Sequence, residues 1–213
     1  MFPRIGLAYN RVKKNANSAT MAALFLLETG RVGDERESKL GVPSLVRAAP
    51  WLLPRLASFH YFTIVRNPYS RVLSAFLNKF AKPEYLERYG PVTLDRDGFS
   101  RFIAWLEQGA LGQDMHWDLQ CKLLMTTPGE FDSVLEFEAF PMNLVTLLNS
   151  RGVVLPDQID GILGTVNSAT RTGAGKRLQQ FYTPAVANQV QQLFRRDFDQ
   201  LRYSTDFEAA LLP

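Results

Sequence analysis

The sequence predicts an α/β fold built on a mostly parallel sheet, and two observations carry that prediction. Residues 59–65 (FHYFTIV) form a short apolar, aromatic and β-branched run with no charge, the pattern of a parallel strand buried on both faces. Along the chain such runs alternate with helical patterns, and two strand–loop–helix units end in side chains suited to holding a phosphate. The 213 residues, 46% hydrophobic and 21% charged, are expected to form one globular domain, 1–213, with a sizeable core.

The first strand is expected at residues 5–9 (IGLAY), extending toward Val12. Residues 13–18 (KKNANS) make a short polar loop. Residues 19–29 are rich in Ala, Leu and Met and favour helix, with Asn17 or Ser18 at the cap and Gly30 closing the last turn. The charged stretch 31–41 (RVGDERESKLG) reads as a mobile surface loop, or as one that contacts an acceptor at the ligand edge. The strand at 59–65 is broken by Asn67-Pro68, and a helix is expected to start near Ser70, a residue type that suits an N-cap. Further on, residues 99–106 predict a core-facing helix, Val134-Leu135 with Phe137 a strand, and residues 139–150 the helix after it. Residues 167–177 (NSATRTGAGKR) form a basic, glycine-containing loop able to wrap an anion. A packing helix is expected from Pro184 to about Leu201, with Val186, Val190, Leu193 and Phe194 on one face.

Two of these units carry anion chemistry. Arg66 leaves the strand at the carboxyl edge, where open α/β folds bind ligands, and Ser74 lies one helical turn beyond Ser70 on the same face. A guanidinium fork and a hydroxyl there can share one phosphate. In the first unit, lysines and small polar residues lead into a helix start, whose free amides favour an anion. This is not a Walker A loop, because its glycines and its Gly-Lys-Ser/Thr ending are absent.

Lys14-Asn15-Ala16-Asn17-Ser18 resembles the loop that binds the 5′-phosphosulfate in sulfotransferases using 3′-phosphoadenosine-5′-phosphosulfate (PAPS), and the segment from Arg66 to Ser74 resembles their 3′-phosphate motif. The similarity is closest to the Golgi-type carbohydrate sulfotransferases and their bacterial relatives. It continues in order through His116-Trp117, Gln120-Cys121, Phe131-Asp132 to Glu138, Asn167-Ser168, Phe181-Tyr182-Thr183, Asp197-Phe198 and Tyr203. Asn17 stands where the family more often has Ser, Thr or Cys, Lys13 stands where proline is frequent, and the region between the phosphate motifs is short. The resemblance implies a P-loop-NTPase-like three-layer sandwich with a central, mostly parallel sheet flanked by helices, and in-line sulfuryl transfer to a hydroxyl or amine, with a carbohydrate or sugar-containing acceptor. It assigns Lys14 to charge on the leaving phosphate, and Lys13, Asn15, Ala16, Asn17 and Ser18 to the 5′-phosphate loop. Arg66 and Ser74 go to the 3′-phosphate, and Arg171, Lys176 or Arg177 to a further donor contact. No metal is needed for that arrangement.

The acceptor requires a base. His60 starts its strand and lies roughly 20 Å from the ligand edge, which favours a structural role. His116, between Asp114 and Trp117-Asp118, is the better candidate: its neighbours are expected to raise its basicity, and Trp117 to offer an aromatic surface to a sugar. Glu35, Glu37 and Asp114 are the carboxylate alternatives.

One cysteine, Cys121, excludes an internal disulfide, and two separated histidines argue against a dedicated transition-metal centre. A net charge of +3 suits anionic small ligands and is too small to indicate nucleic-acid binding. No apolar run approaches the roughly 20 residues of a membrane span, and no signal-peptide pattern is visible, so a cytoplasmic bacterial enzyme is expected, with the soluble catalytic part of a membrane-associated enzyme as the alternative. Two other classes stay open. A nucleotide kinase would show a Gly-Lys-Ser/Thr loop and a magnesium-holding aspartate, and a non-catalytic nucleotide- or glycan-binding protein would lack the base.

Overall fold

The uncharged run around Phe62 forms the central strand of a three-stranded sheet. The computed structural model describes residues 1–43, 50–165 and 172–211. In chain order the elements are β1 (Leu7–Asn10), α1 (Asn17–Thr29), α2 (Glu35–Leu40), β2 (His60–Val65), α3 (Pro68–Lys79), α4 (Pro83–Tyr89), α5 (Arg96–Trp105), α6 (Gln120–Leu123), β3 (Ser133–Glu136), α7 (Met142–Ser150), α8 (Ile159–Thr165), α9 (Leu178–Phe181), α10 (Pro184–Leu193) and α11 (Arg195–Leu201). The strands lie in the order β1-β2-β3, all parallel, with Leu7 opposite His60 and Phe62 opposite Ser133. The protein is therefore α/β, with a parallel sheet flanked by helices as expected. The chain divides into two compact units interleaved in sequence.

The first unit contains Met1–Val12, Ala16–Val65 and Gly129–Ala169, and with them the whole sheet. Phe62, Thr63, Ile64 and Val65 are all buried, as a strand covered on both faces requires. Leu7, Phe62 and Ile64 join Leu24 and Leu27 of α1, Leu148 of α7 and Ile162 of α8 in one apolar core. Helix α1 ends at Gly30, whose φ of 77° is the left-handed C-cap conformation and whose N–H bonds the Leu26 carbonyl. At its other end, neither Asn17 nor Ser18 caps the helix. Ala16 holds the cap position with φ 54° and no side-chain bond. The charged stretch expected as a loop contains α2 instead: Asp34 accepts from the Glu37 N–H while the Glu37 side chain accepts from the Asp34 N–H, a full capping box.

The second unit contains Lys13–Asn15, Arg66–Pro128 and Thr170–Pro213. Its axis is α3, buried from Pro68 to Leu77. The rings of Phe80, Phe99, Phe102 and Phe181 lie 5.3 to 6.4 Å from that of Phe76, and Val186, Val190 and Phe198 extend the same core. The long C-terminal helix of the sequence reading is two helices, broken where Phe194 leaves helical geometry at φ −104° and ψ 18°. Among the described residues no helix is long and apolar enough to cross a membrane.

A Cβ at Gly30 would have room, its nearest neighbour being an Arg4 guanidinium nitrogen at 3.8 Å, so substitution there isolates backbone strain. Gly30→Ala is expected to cost about 1 kcal/mol in urea denaturation. Gly129→Ala, with open space and no positive φ, is expected to raise the midpoint slightly, because alanine narrows the unfolded ensemble.

Candidate functional site

Arg66 directly follows the last residue of β2, and the way α3 begins determines what it can do. Asn67, not Ser70, caps α3: its side chain accepts from the Tyr69 N–H at 3.0 Å, and Pro68 takes the first helical position, where a missing N–H is no loss. Ser70 therefore sits inside the first turn. Its hydroxyl accepts from Arg66 Nε at 2.9 Å and donates to the Asn67 carbonyl at 3.2 Å. Arg66 Nη1 donates to the Lys14 carbonyl at 3.0 Å. The sequence paired Arg66 with Ser74, whereas in the fold Ser70 holds the guanidinium and Ser74, also buried, accepts from the Thr172 hydroxyl at 3.2 Å.

Arg71 is only 1% exposed. Its Nε donates to the Lys13 carbonyl at 3.1 Å, Nη1 to Asp118 at 2.7 Å and Nη2 to Met115 at 3.2 Å. Burial pulls its pKa down to about 10 against the opposing pull of Asp197 and Asp118, so it stays charged at neutral pH. One guanidinium thus fixes two segments, the lysine loop and the stretch that carries His116.

Gln120 provides the second tie. It is fully buried, its Oε1 accepts from Asn15 Nδ2 at 2.7 Å and from the Arg66 N–H at 3.0 Å, and its Nε2 donates to the Arg66 carbonyl at 2.8 Å. Asp197, equally buried, orients it by accepting from the Gln120 and Cys121 N–H groups at 2.8 and 2.9 Å. Arg71, Gln120 and Asp197 were not legible as site residues because their partners are distant in sequence. The only signal was that they fall within motifs the resemblance covers.

Lys14 stands in this frame with its backbone at φ 72°. Burial first, and then the neighbouring charges of Arg66, Lys79, Arg71 and Lys82, together lower its pKa to about 7. Among the described residues it makes no ion pair. Lys79, near the end of α3, and Lys82 are additions to the cations expected from sequence.

His116 shares that field, since Lys79 and Lys13 both bear on it. The expected rise in its basicity is corrected: burial dominates over the opposing effect of Asp114 and takes the imidazole down to about 4, neutral at pH 7. Trp117 is also unavailable to a sugar. It is fully buried among Phe80, Tyr89 and Trp105, with Nε1 donating to the Ala110 carbonyl at 3.1 Å. Asp114 is committed as an acceptor. Burial alone would raise its carboxyl, but hydrogen bonds from the His116 backbone and ring and from Tyr85 outweigh this and hold it below the ordinary range.

The other candidates are placed differently. Arg177 stacks over Phe181 at 4.9 Å and donates to Gln180 at 3.0 Å, and Lys176 is exposed. Arg171 and Asn167-Ser168 lie outside the described residues. Ala16, Asn17 and Ser18 belong to the first unit, where Asn17 is buried and the Ser18 hydroxyl lies 3.5 Å from Glu35 Oε1. Glu35 also pairs with Lys39 and Glu37 with Arg31, so neither stands as an unengaged base. His60 bonds Ser133 through Nε2 at 2.9 Å, in keeping with a structural role. Among the described residues no group of three or more His, Cys, Asp and Glu is placed to hold a metal ion. A cavity of about 470 Å³ beside Tyr69, Tyr182 and Phe207 contains none of the candidate residues.

Residues 1–204 match the model of a family described as the sulfotransferase family. Comparison with curated proteins and with solved structures gives no match.

Removing the Arg71 guanidinium strands three carbonyls at once. Arg71→Met is expected to destabilise the protein by at least about 3 kcal/mol in chemical denaturation, and hydrogen exchange should quicken in residues 13–15 and 115–118 before other segments.

Proposed function

The chain belongs to the sulfotransferase family, and we propose that it moves the sulfuryl group of PAPS to a hydroxyl or amine, with a carbohydrate or other sugar-bearing molecule as acceptor. The family match runs through residues of both compact units, which supports one catalytic domain. The observation that carries the donor reading is the field at Lys14: the charges that bear most strongly on its ammonium are all cations. Such a group is electrostatically complete only beside an anion, and a nucleotide with phosphates at both its 5′ and 3′ positions is a suitable one.

The donor supplies a sulfuryl group activated by an anhydride bond to phosphate. Lys14 follows the charge that develops on the departing phosphate oxygen, a compact ammonium being suited to that task in a dry cleft. Arg66 and Ser74 select the 3′-phosphate, with Arg66 already oriented by Ser70. Lys13, Lys79 and Lys82 raise the local concentration of the anion. His116, neutral at pH 7, takes the acceptor proton on Nε2, and the adjacent Asp114 carboxylate stabilises the imidazolium that results. In-line positioning and charge stabilisation carry the reaction.

Sulfate transfer from labelled PAPS without added magnesium is the direct test, and its absence across a panel of sugars, phenols and amines would remove the reading. Lys14→Ala is expected to lower turnover far more than donor affinity, by about 10²-fold or more. Arg66→Ala is expected to weaken binding of the desulfated nucleotide in calorimetry, and unchanged affinity would sink its assignment.

The pH dependence follows from the sign of the Lys14 shift. In the free protein its pKa is about 7, and a bound anion raises it. Binding therefore takes up a proton between about pH 7 and the higher pKa of the complex, and affinity declines as pH rises through that window. Calorimetry at pH 8 in buffers of different ionisation enthalpy should register this uptake in the native protein and not in Lys14→Ala.

A further inference from the structure

The geometry points to Tyr85 as a positioning residue that acts through Asp114 to determine which nitrogen of His116 carries the proton. This rests on His116 being the base, but its test is separate from that reading. Tyr85, on α4, donates its hydroxyl to Asp114 Oδ2 at 2.9 Å. The other oxygen, Oδ1, accepts from the His116 backbone N–H at 2.8 Å and from the His116 ring at Nδ1. An ionised carboxylate only accepts, so Nδ1 bears the proton and the lone pair of the neutral ring is at Nε2. Among the described residues Nε2 has no hydrogen-bond partner, and His116 is only partly buried.

A carboxylate bound on one oxygen alone can rotate. With Tyr85 on Oδ2 and His116 on Oδ1, rotation breaks bonds at both ends, so the phenol fixes the plane in which Nδ1–H finds its acceptor. Tyr85 is itself held firmly. Its ring meets the imidazole edge-on, with centroids 6.4 Å apart, and packs on Trp117 at 6.1 Å, while the Lys79 ammonium lies over its face at 4.7 Å. Burial and then the bond to Asp114 raise the phenol well above its ordinary pKa, so it remains a donor throughout the working range. Lys79 and Lys13 are the other charges bearing on the imidazole. In the step this relay serves, the acceptor proton passes to Nε2 while Nδ1–H stays bonded to Asp114, and no proton leaves Tyr85.

The test is nitrogen NMR of the histidine ring in the native protein, Tyr85→Phe and Asp114→Asn, read beside kinetics. The phenylalanine keeps the ring packing and removes only the hydroxyl. The native protein is expected to show one neutral tautomer, protonated at Nδ1, and both variants several-fold more of the other. Tyr85→Phe should also lose roughly tenfold in kcat with KM for the donor unchanged. An unaltered tautomer ratio in Tyr85→Phe overturns the proposal, whatever Asp114→Asn does. Because the NMR signal needs no turnover, shifted tautomers in a protein that transfers no sulfate would uphold the relay while the proposed reaction falls.

Discussion

The second unit is organised around a buried guanidinium that bonds backbone oxygen rather than carboxylate. Arg71 reaches from the first turn of α3 to carbonyls at Lys13, Met115 and Asp118. Each neutral acceptor offsets part of the desolvation of the charge, and together they join segments about a hundred residues apart in the chain. A directly bonded carboxylate would have satisfied the arginine just as well, but it would have fixed one point rather than three; here Asp197 and Asp118 act on the charge only through space.

That difference bears on the chemistry. Arg66 follows the same rule, with a hydroxyl and a carbonyl as partners at Nε and Nη1. Both guanidinium groups bear on the neighbouring Lys14 ammonium. Burial lowers the pKa of Lys14 most, and this field lowers it further toward its value of about 7. Folding brings like charges together at a cost in stability, and the polyanion proposed as donor would offset that cost.

Much of the fold was legible because its signals are local. The apolar run at β2, the glycine after α1 and the strand–helix alternation each depend on neighbouring residues, and each was found near its expected place. Helix α2 was also readable, since Asp34 and Glu37 have capping-box spacing, but the density of charge masked it. What escaped was set by distance in sequence. An arginine one turn into a helix reads as solvated until its three carbonyls are known, and Gln120 has no partner within reach in the chain. His116 shows the same divide: its charged neighbours are visible in the sequence, whereas the burial that reverses their effect is a property of the packed state. Ser70 and Ser74 differ by one turn, and only the cap at Asn67 decides which of them meets Arg66.

The backbone of the lysine loop enters the left-handed region at Lys14 and again at Ala16, at φ 72° and 54°, where glycine would rest without strain. The loop shape is therefore not intrinsic to its sequence. It persists because Arg71, Arg66 and Gln120 grip its carbonyls and the Asn15 amide from outside. A glycine-rich phosphate loop carries its own curvature and can be moved between scaffolds, but this one cannot be. The shape of the lysine loop is a property of the assembled unit, and a lesion that loosens that assembly, however far from the lysines, lets the loop relax toward an ordinary extended strand exit.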